Sequence, residues 1–464
     1  MTRHNSSAPG RRRIRRLLST IIGSLTAASL VGLAGCASTP GNASSEISLD
    51  YWLWEALQVP GYQKCAAAFE EANPGIHVRV TQYGWGDYWQ KLTASLVAGA
   101  GPDVFTDHLT KYPEFVSRGV LLPLDDLEAT KGFDGSVYQE GLADLWVGQD
   151  GAQYGMPKDF DTIAMFYNND VLEDAGMTAA DLDDLQWNPE DGGTFEQVIA
   201  HLSIDGNGVR GDEDGFDPQN VVTYGLASGG SGDTNGQTQW SWLAAATGWE
   251  YTNADVWGDE YNYDDPRFQA SIGWLFGLVD KGFMPSYESV GTAPDPVQQL
   301  ASGKAAISPN GSWTISAYGR LEGVDLGIAK IPSGPIGHPV SMYNGLGDSI
   351  SAQTDHPEEA AKFVQYLGSE ECQVIVGKEG VIFPARPAGT DAAIAAFEER
   401  GIDVSPFTDL VEDKYTVLYP VTTNGAQILS IMQPVMDGIY IGSEDVSSLT
   451  AVNKKINSLF AKKP

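Results

Sequence analysis

Apolar and polar positions fall into short alternating blocks from residue 46 onward. Glu46-Ile47-Ser48-Leu49-Asp50-Tyr51-Trp52 alternates with period two, the pattern of a half-buried strand. Gly61 to Ala72 carries apolar residues at helical spacing and stops at Asn73-Pro74-Gly75, a helix with its breaker. A second alternating run, Ile76 to Thr81, predicts another strand. Tyr88 to Ala98 then reads as a helix, and Gly101-Pro102-Asp103-Val104-Phe105 opens a third strand. Strands alternating with helices predict an α/β lobe with a largely parallel sheet.

The first 35 residues follow a different pattern. Six Arg (Arg3, Arg11, Arg12, Arg13, Arg15, Arg16) and no acid precede an apolar stretch running from Leu17 to Leu33. A basic start and a short apolar core make a secretory signal. It closes on Leu33-Ala34-Gly35-Cys36, which resembles the bacterial lipobox, whose cysteine thiol receives diacylglycerol. Ala37 to Ser45 is rich in Ser, Ala, Gly and Asn and reads as a flexible tether. The protein is therefore expected outside the cytoplasm, anchored to the cell membrane through Cys36, because two acyl chains hold where one is marginal. Of the other cysteines only Cys65 and Cys372 remain. An exported chain allows them a disulfide, and two buried thiols fit as well.

Composition narrows the partners. The 464 residues include 61 Asp+Glu against 28 Lys+Arg, for a formal charge of −33. Such a field repels phosphate backbones, so no nucleic-acid partner is expected. With 42% hydrophobic residues a packed core is within reach.

Asp205 to Asp217 is a dense acidic loop. Against the calcium-loop template Val209 stands at the fifth position, Arg210 where Gly is required and Phe216 where the closing Glu belongs. The loop is read as solvated, with no metal. No nucleophile elbow, zinc motif or phosphate loop is present in the sequence, and no cofactor is called for. The acids are too many for any pair to signal glycoside hydrolysis.

Tryptophan is the distinctive residue. All twelve lie between Trp52 and Trp313, several beside Gly, Ser or Asp: Trp54, Gly84-Trp85-Gly86, Trp240-Ser241-Trp242 and Gly311-Ser312-Trp313. An aromatic face stacks on the C–H face of a sugar while neighbouring polar groups take its hydroxyls. Core packing is the competing reading for each ring.

An ordered series of motifs makes the chain similar to a known family. It includes Phe69-Glu70-Glu71-Ala72-Asn73-Pro74-Gly75, Ala98-Gly99-Ala100-Gly101-Pro102-Asp103-Val104-Phe105, Tyr154-Gly155-Met156-Pro157-Lys158-Asp159, Phe166-Tyr167-Asn168, and Gly303-Lys304-Ala305-Ala306-Ile307 leading into Asn310-Gly311-Ser312-Trp313. Over nearly the whole mature length the chain resembles the extracellular solute-binding lipoproteins of sugar ABC importers, whose architecture is that of maltose-binding protein. The resemblance implies an α/β, two-lobed periplasmic-binding-protein-like fold with mostly parallel sheets and a hinge of crossing strands. Lobe 1 would span 46–124 and 332–383, and lobe 2 would span 125–331 and 384–464. Cys65 and Cys372 would then share a lobe, which favours a disulfide.

It further implies a cleft at the carboxyl ends of strands. Trp54, Trp85, Asp107, His108, Lys158, Asp159, Asp161, Trp240, Trp242, Trp313 and Asn344 are the expected ligand residues, with Trp313 as an aromatic floor. The implied protein is a monomeric, non-enzymatic binder that captures a sugar or oligosaccharide and delivers it to ABC permease subunits. Alternatives are a secreted glycosidase or a solute-binding protein for a non-sugar ligand such as a polyamine, an iron chelate or a peptide; tryptophan-rich loops argue against iron.

Overall fold

The computed structural model describes residues 46–291 and 295–461. The signal, Cys36 and the tether lie outside the described residues. Among these residues no helix is long and apolar enough to cross a membrane.

Among the described residues twelve strands form two sheets. The strands are β1 (Ile47–Leu53), β2 (Ile76–Gln82), β3 (Val104–Asp107), β4 (Met156–Asp161), β5 (Ile163–Asn168), β6 (Ile204–Asp205), β7 (Val221–Leu226), β8 (Ala305–Gly311), β9 (Leu326–Ala329), β10 (Ser341–Ile350), β11 (Phe383–Pro384) and β12 (Thr416–Leu418). The first sheet runs β11-β4-β10-β3-β1-β2 with β12 beside β10, and the second runs β6-β7-β8-β5-β9.

The opening elements follow from the sequence pattern. In β1 the alternate residues Leu49, Tyr51 and Leu53 are buried. The helix Val59–Ala72 starts with Pro60 in its first turn and buries Tyr62, Cys65, Ala66 and Phe69, one face at helical spacing. It ends at Asn73, and Gly75 takes φ +96°, a conformation that costs glycine little. The helix Trp85–Ala98 buries Tyr88, Leu92 and Leu96 at four-residue intervals. A disulfide joins Cys65 to Cys372, tying the helix Val59–Ala72 to the helix Glu370–Gly377 across 307 residues of sequence.

Two expectations need correction. The sheets are mixed rather than mostly parallel: β1–β2, β1–β3, β10–β12 and β7–β8 run parallel, whereas β3–β10, β4–β10, β4–β11, β5–β8, β5–β9 and β6–β7 run antiparallel. Helical crossovers keep β1 to β3 parallel, but strands that return from the other sheet enter from the opposite direction. The expected lobe boundaries also fall too early. β4 pairs with β10 and β11 in the first sheet, and the helix Pro387–Glu398 packs on the helix Glu370–Gly377. Motif order along the chain does not reveal which sheet a strand joins.

The chain changes sheet at Thr162, between Asp161 at the end of β4 and Ile163 at the start of β5. The buried Thr162 hydroxyl donates to the Phe407 carbonyl at 2.9 Å, and its own carbonyl accepts the Ser312 N–H at 3.0 Å. The Ile163 N–H donates to Ser341 Oγ at 2.8 Å, where β10 begins its return to the first sheet. These bonds satisfy the crossing backbone, which would otherwise be a costly place to bury polar groups.

Candidate functional site

A cavity of about 650 Å³ opens beside this crossing and is lined from both sheets. β1 to β3 present their carboxyl ends to it: Trp54 follows β1, Trp85 and Trp89 stand on the helix after β2, and His108 follows β3. β4 contributes Asp159 and Asp161, two residues apart and hence on one face. Asn344 on β10 lies in register with Asp161. From the other side come Trp313 after β8 and the segment Gly232 to Gln239, with Tyr419 following β12.

Trp54, Trp85 and Trp89 form an aromatic cluster, with ring centroids 5.1 Å apart for Trp54–Trp85 and 5.4 Å for Trp54–Trp89 and Trp85–Trp89. His108 lies 5.7 Å from Trp85 and 5.4 Å from Tyr419. Burial pushes the His108 imidazole down to about 3, so it is neutral. Its Nδ1 accepts the Thr110 N–H at 3.1 Å, which leaves the ring proton on Nε2.

Asp159 and Asp161 are both buried. Burial raises each above the ordinary carboxylate range, and the neighbouring Asp159 charge raises Asp161 further. Asp159 Oδ2 sits 3.3 Å from Lys158 Nζ. Asp161 Oδ1 accepts the Ser312 hydroxyl at 3.1 Å.

Seven of the expected ligand residues line the cavity: Trp54, Trp85, His108, Asp159, Asp161, Trp313 and Asn344. Four do not. The Trp240 and Trp242 rings are buried, and each indole N–H donates to a nearby carbonyl, Ser231 and Thr238, both at 3.2 Å. Only their polar neighbours Gln237, Thr238 and Gln239 reach the cavity. Asp107 is buried behind His108, accepting that residue's backbone N–H at 2.8 Å. Lys158 does not line the cavity; its ammonium donates to Gln58 Oε1 at 2.6 Å, to the Tyr62 hydroxyl at 2.5 Å and to Asp159 Oδ2 at 3.3 Å. It braces Gln58 and Asp159, both of which do line the cavity.

Trp89, Gln58, Asp233 and Tyr419 went unremarked in the sequence. Trp89 had a usable signal, because it stands four residues after Trp85 and so shares its helix face. The polar run Gly232-Asp233-Thr234-Asn235-Gly236-Gln237 was overshadowed by the tryptophans beside it.

Eleven buried side-chain polar atoms lack a hydrogen-bond partner among the described residues, and five belong to residues lining this cavity: Trp89 Nε1, Asp159 Oδ1, Thr234 Oγ1, Gln237 Nε2 and Asn344 Oδ1. Buried polar groups are almost always satisfied, so their clustering marks a place for a polar guest. The acidic loop behaves differently. Asp205 consumes its own carboxylate, accepting backbone N–H groups of Asn207, Val209 and Asp217 at 2.8, 2.9 and 3.0 Å.

Two α/β lobes flanking a polar, aromatic cavity at a crossing point define a two-lobed ligand-binding protein. The chain belongs to the bacterial extracellular solute-binding proteins, whose family model matches residues 64–398. It is 25% identical over 351 residues to a maltodextrin-binding protein of Bacillus subtilis, covering 73% of this chain and 74% of that one. It is 24% identical to a maltooligosaccharide ABC transporter solute-binding lipoprotein of Streptococcus pneumoniae, covering 81% of each. An ABC substrate-binding protein of Listeria monocytogenes, solved in complex with cycloalternan, shares the fold with TM-score 0.73 and 20% identity over 90% of this chain and 100% of that one.

Proposed function

We propose that this protein captures a carbohydrate in the cavity between its lobes and hands it to the membrane subunits of an ABC importer. The observation that carries the reading is the set of five unpartnered polar atoms gathered around an aromatic cavity. Sugar hydroxyls donate to Asp159 and Asn344 and accept from Gln237 and the Trp89 indole, while the C–H faces stack on Trp54, Trp85 or Trp313. Contacts drawn from both lobes make the closed arrangement tighter-binding, so ligand shifts the population toward closure about the strands crossing near Thr162. The sugar-binding relatives support this chemistry.

A thermal-shift screen of the mature chain across mono- and oligosaccharides tests it. A ligand at a hundredfold its dissociation constant stabilises the folded state by about 2.7 kcal/mol, a visible rise in Tm. The sugar should be returned intact after incubation, since the protein acts as a binder; cleavage products would establish the glycosidase instead. If no carbohydrate raises Tm, the reading fails.

The anchor belongs to the same proposal. Cys36→Ser should release the protein from the membrane fraction while leaving sugar affinity unchanged, because the acylated thiol precedes the folded lobes. A cleaved Cys36→Ser protein that stays membrane-bound would remove the lipid anchor.

A further inference from the structure

The charges around the cavity are unbalanced. Glu55, Glu114, Asp159, Asp161 and Asp233 line it, against Lys111 as the one lining cation among the described residues and a neutral His108. Lys158 lies beside Asp159. Asp161 feels the same Lys158 charge but makes no direct ion pair among the described residues: it holds the Ser312 hydroxyl and faces Asn344 across the strand pair. A further buried carboxylate, Asp348, stands on β10; it accepts the Tyr51 and Thr106 hydroxyls at 2.9 and 3.1 Å and shares the charge of the same Lys158. One lysine serves three buried carboxylates, and the cost of burying the remaining negative charge falls when a further cation arrives.

The orphaned atoms sharpen the demand. Asp159 Oδ1 and Asn344 Oδ1 are acceptors with no donor, and Asp161 lies between them, two residues from Asp159 and in register with Asn344. A hydroxyl brings one proton and no charge. An ammonium brings three protons and the missing positive charge. The Trp54, Trp85 and Trp89 cluster on the same cavity attracts a cation through its ring faces as well.

We propose that the cleft selects an amine-bearing carbohydrate, an amino sugar or an oligosaccharide containing one, with its ammonium seated against Asp159, Asp161 and Asn344. The inference rests on the carbohydrate reading of the cavity and specifies its charge class. Burial raises Asp159 and Asp161 above the ordinary carboxylate range although the Lys158 charge lowers both, so one lysine does not balance the carboxylates gathered there. Carboxylate-bearing sugars are repelled by the same groups.

Titration calorimetry on the mature protein with matched probe sets tests the proposal. Each set varies one position through hydroxyl, ammonium and carboxylate: glucose, glucosamine and glucuronate; galactose, galactosamine and galacturonate; and cellobiose with the corresponding glucosamine dimer. The ammonium member should bind at least about tenfold more tightly than the hydroxyl member, and the carboxylate member should not bind. Asp161→Asn keeps the side-chain shape and should reduce that preference to within about threefold, with Tm near that of the unmodified protein. A hydroxyl member binding as tightly as its ammonium partner overturns the proposal while leaving the carbohydrate reading intact. If no sugar binds but spermidine or choline does, the carbohydrate reading falls and the selection for positive charge stands. Silence from every cation overturns the selection for charge itself.

Discussion

Two groups of tryptophans in this chain do opposite work. In the first, Trp54, Trp85 and Trp89 follow β1 and β2 and face the cavity; Trp85 is 51% exposed, and the Trp89 indole N–H has no partner. In the second, Trp240, Trp242 and Trp249 are sealed in the other lobe, and each donates its N–H to a carbonyl, that of Trp249 reaching Asn262 at 2.8 Å. Trp249 stacks on Phe268 with centroids 4.6 Å apart. Both groups sit beside glycines and polar residues in the sequence. What separates them is whether the indole N–H is consumed by its own fold. Gly236 shows how far the second group is committed: at φ +51° it lies under Trp240, where an added Cβ would fall 2.0 Å from the ring.

The largest effect expected from breaking this contrast is in stability. Trp240→Ala empties a fully enclosed site and should cost about 3–5 kcal/mol of folding stability. Affinity measured on the folded fraction should stay near normal, since the ring itself does not line the cavity. Denaturant unfolding alongside a binding isotherm on one sample checks both. Lost affinity with retained stability would return Trp240 to the site.

The cavity group was partly legible because topology carried it. Once β1, β2 and β3 are recognised as parallel strands with helical returns, the residues after them must gather at one edge, and Trp54, Trp85 and His108 did. Asp159 and Asp161 were legible as a pair, because alternate residues on a strand share a face. The same rule does not predict Lys158, whose long side chain reaches Asp159 Oδ2 without lining the cavity. Trp240 and Trp242 were not legible. Trp240 packs on Trp249, Tyr251 and Phe268, and Trp242 packs on Phe195 from a distant part of the chain, contacts that the polar residues beside them do not announce. The lobe boundaries were hidden for a similar reason, since β4 finds its partners β10 and β11 some two hundred residues later.

Trp313 shares features of both groups. It is half-buried and lines the cavity, yet its ring folds back over Gly311, where a Cβ would fall 1.8 Å from Cζ3. Trp313→Ala should weaken sugar binding by about 1–3 kcal/mol, a roughly ten- to hundredfold loss, by removing a stacking face. Gly311→Ala provides an independent displacement of the same ring without deleting it, and should lower affinity in the same direction. Unchanged affinity in Trp313→Ala with a falling Tm would place this ring with the sealed group.

The smallest effect is expected at Trp85, and it is the most discriminating. Half of this side chain is already in water, so truncation opens no cavity in a packed core. Its neighbours Trp54, Trp89 and His108 stay in contact with one another through rings 5.4 Å apart for Trp54–Trp89 and 6.4 Å apart for Trp54–His108. Trp85→Ala should therefore shift Tm by no more than a few degrees for a protein of this size, on the scale of about 2–4 °C per kcal/mol. Sugar affinity should fall by about three- to tenfold, because a face exposed in the free protein is covered only when ligand stacks on it. Tryptophan fluorescence gives a separate readout: the change on adding ligand should shrink in Trp85→Ala and persist in a Trp242→Phe control, whose indole the ligand never meets. A full-sized fluorescence change in Trp85→Ala would mean that the rings after β2 are surface rather than site, and would erase the distinction between the two tryptophan groups.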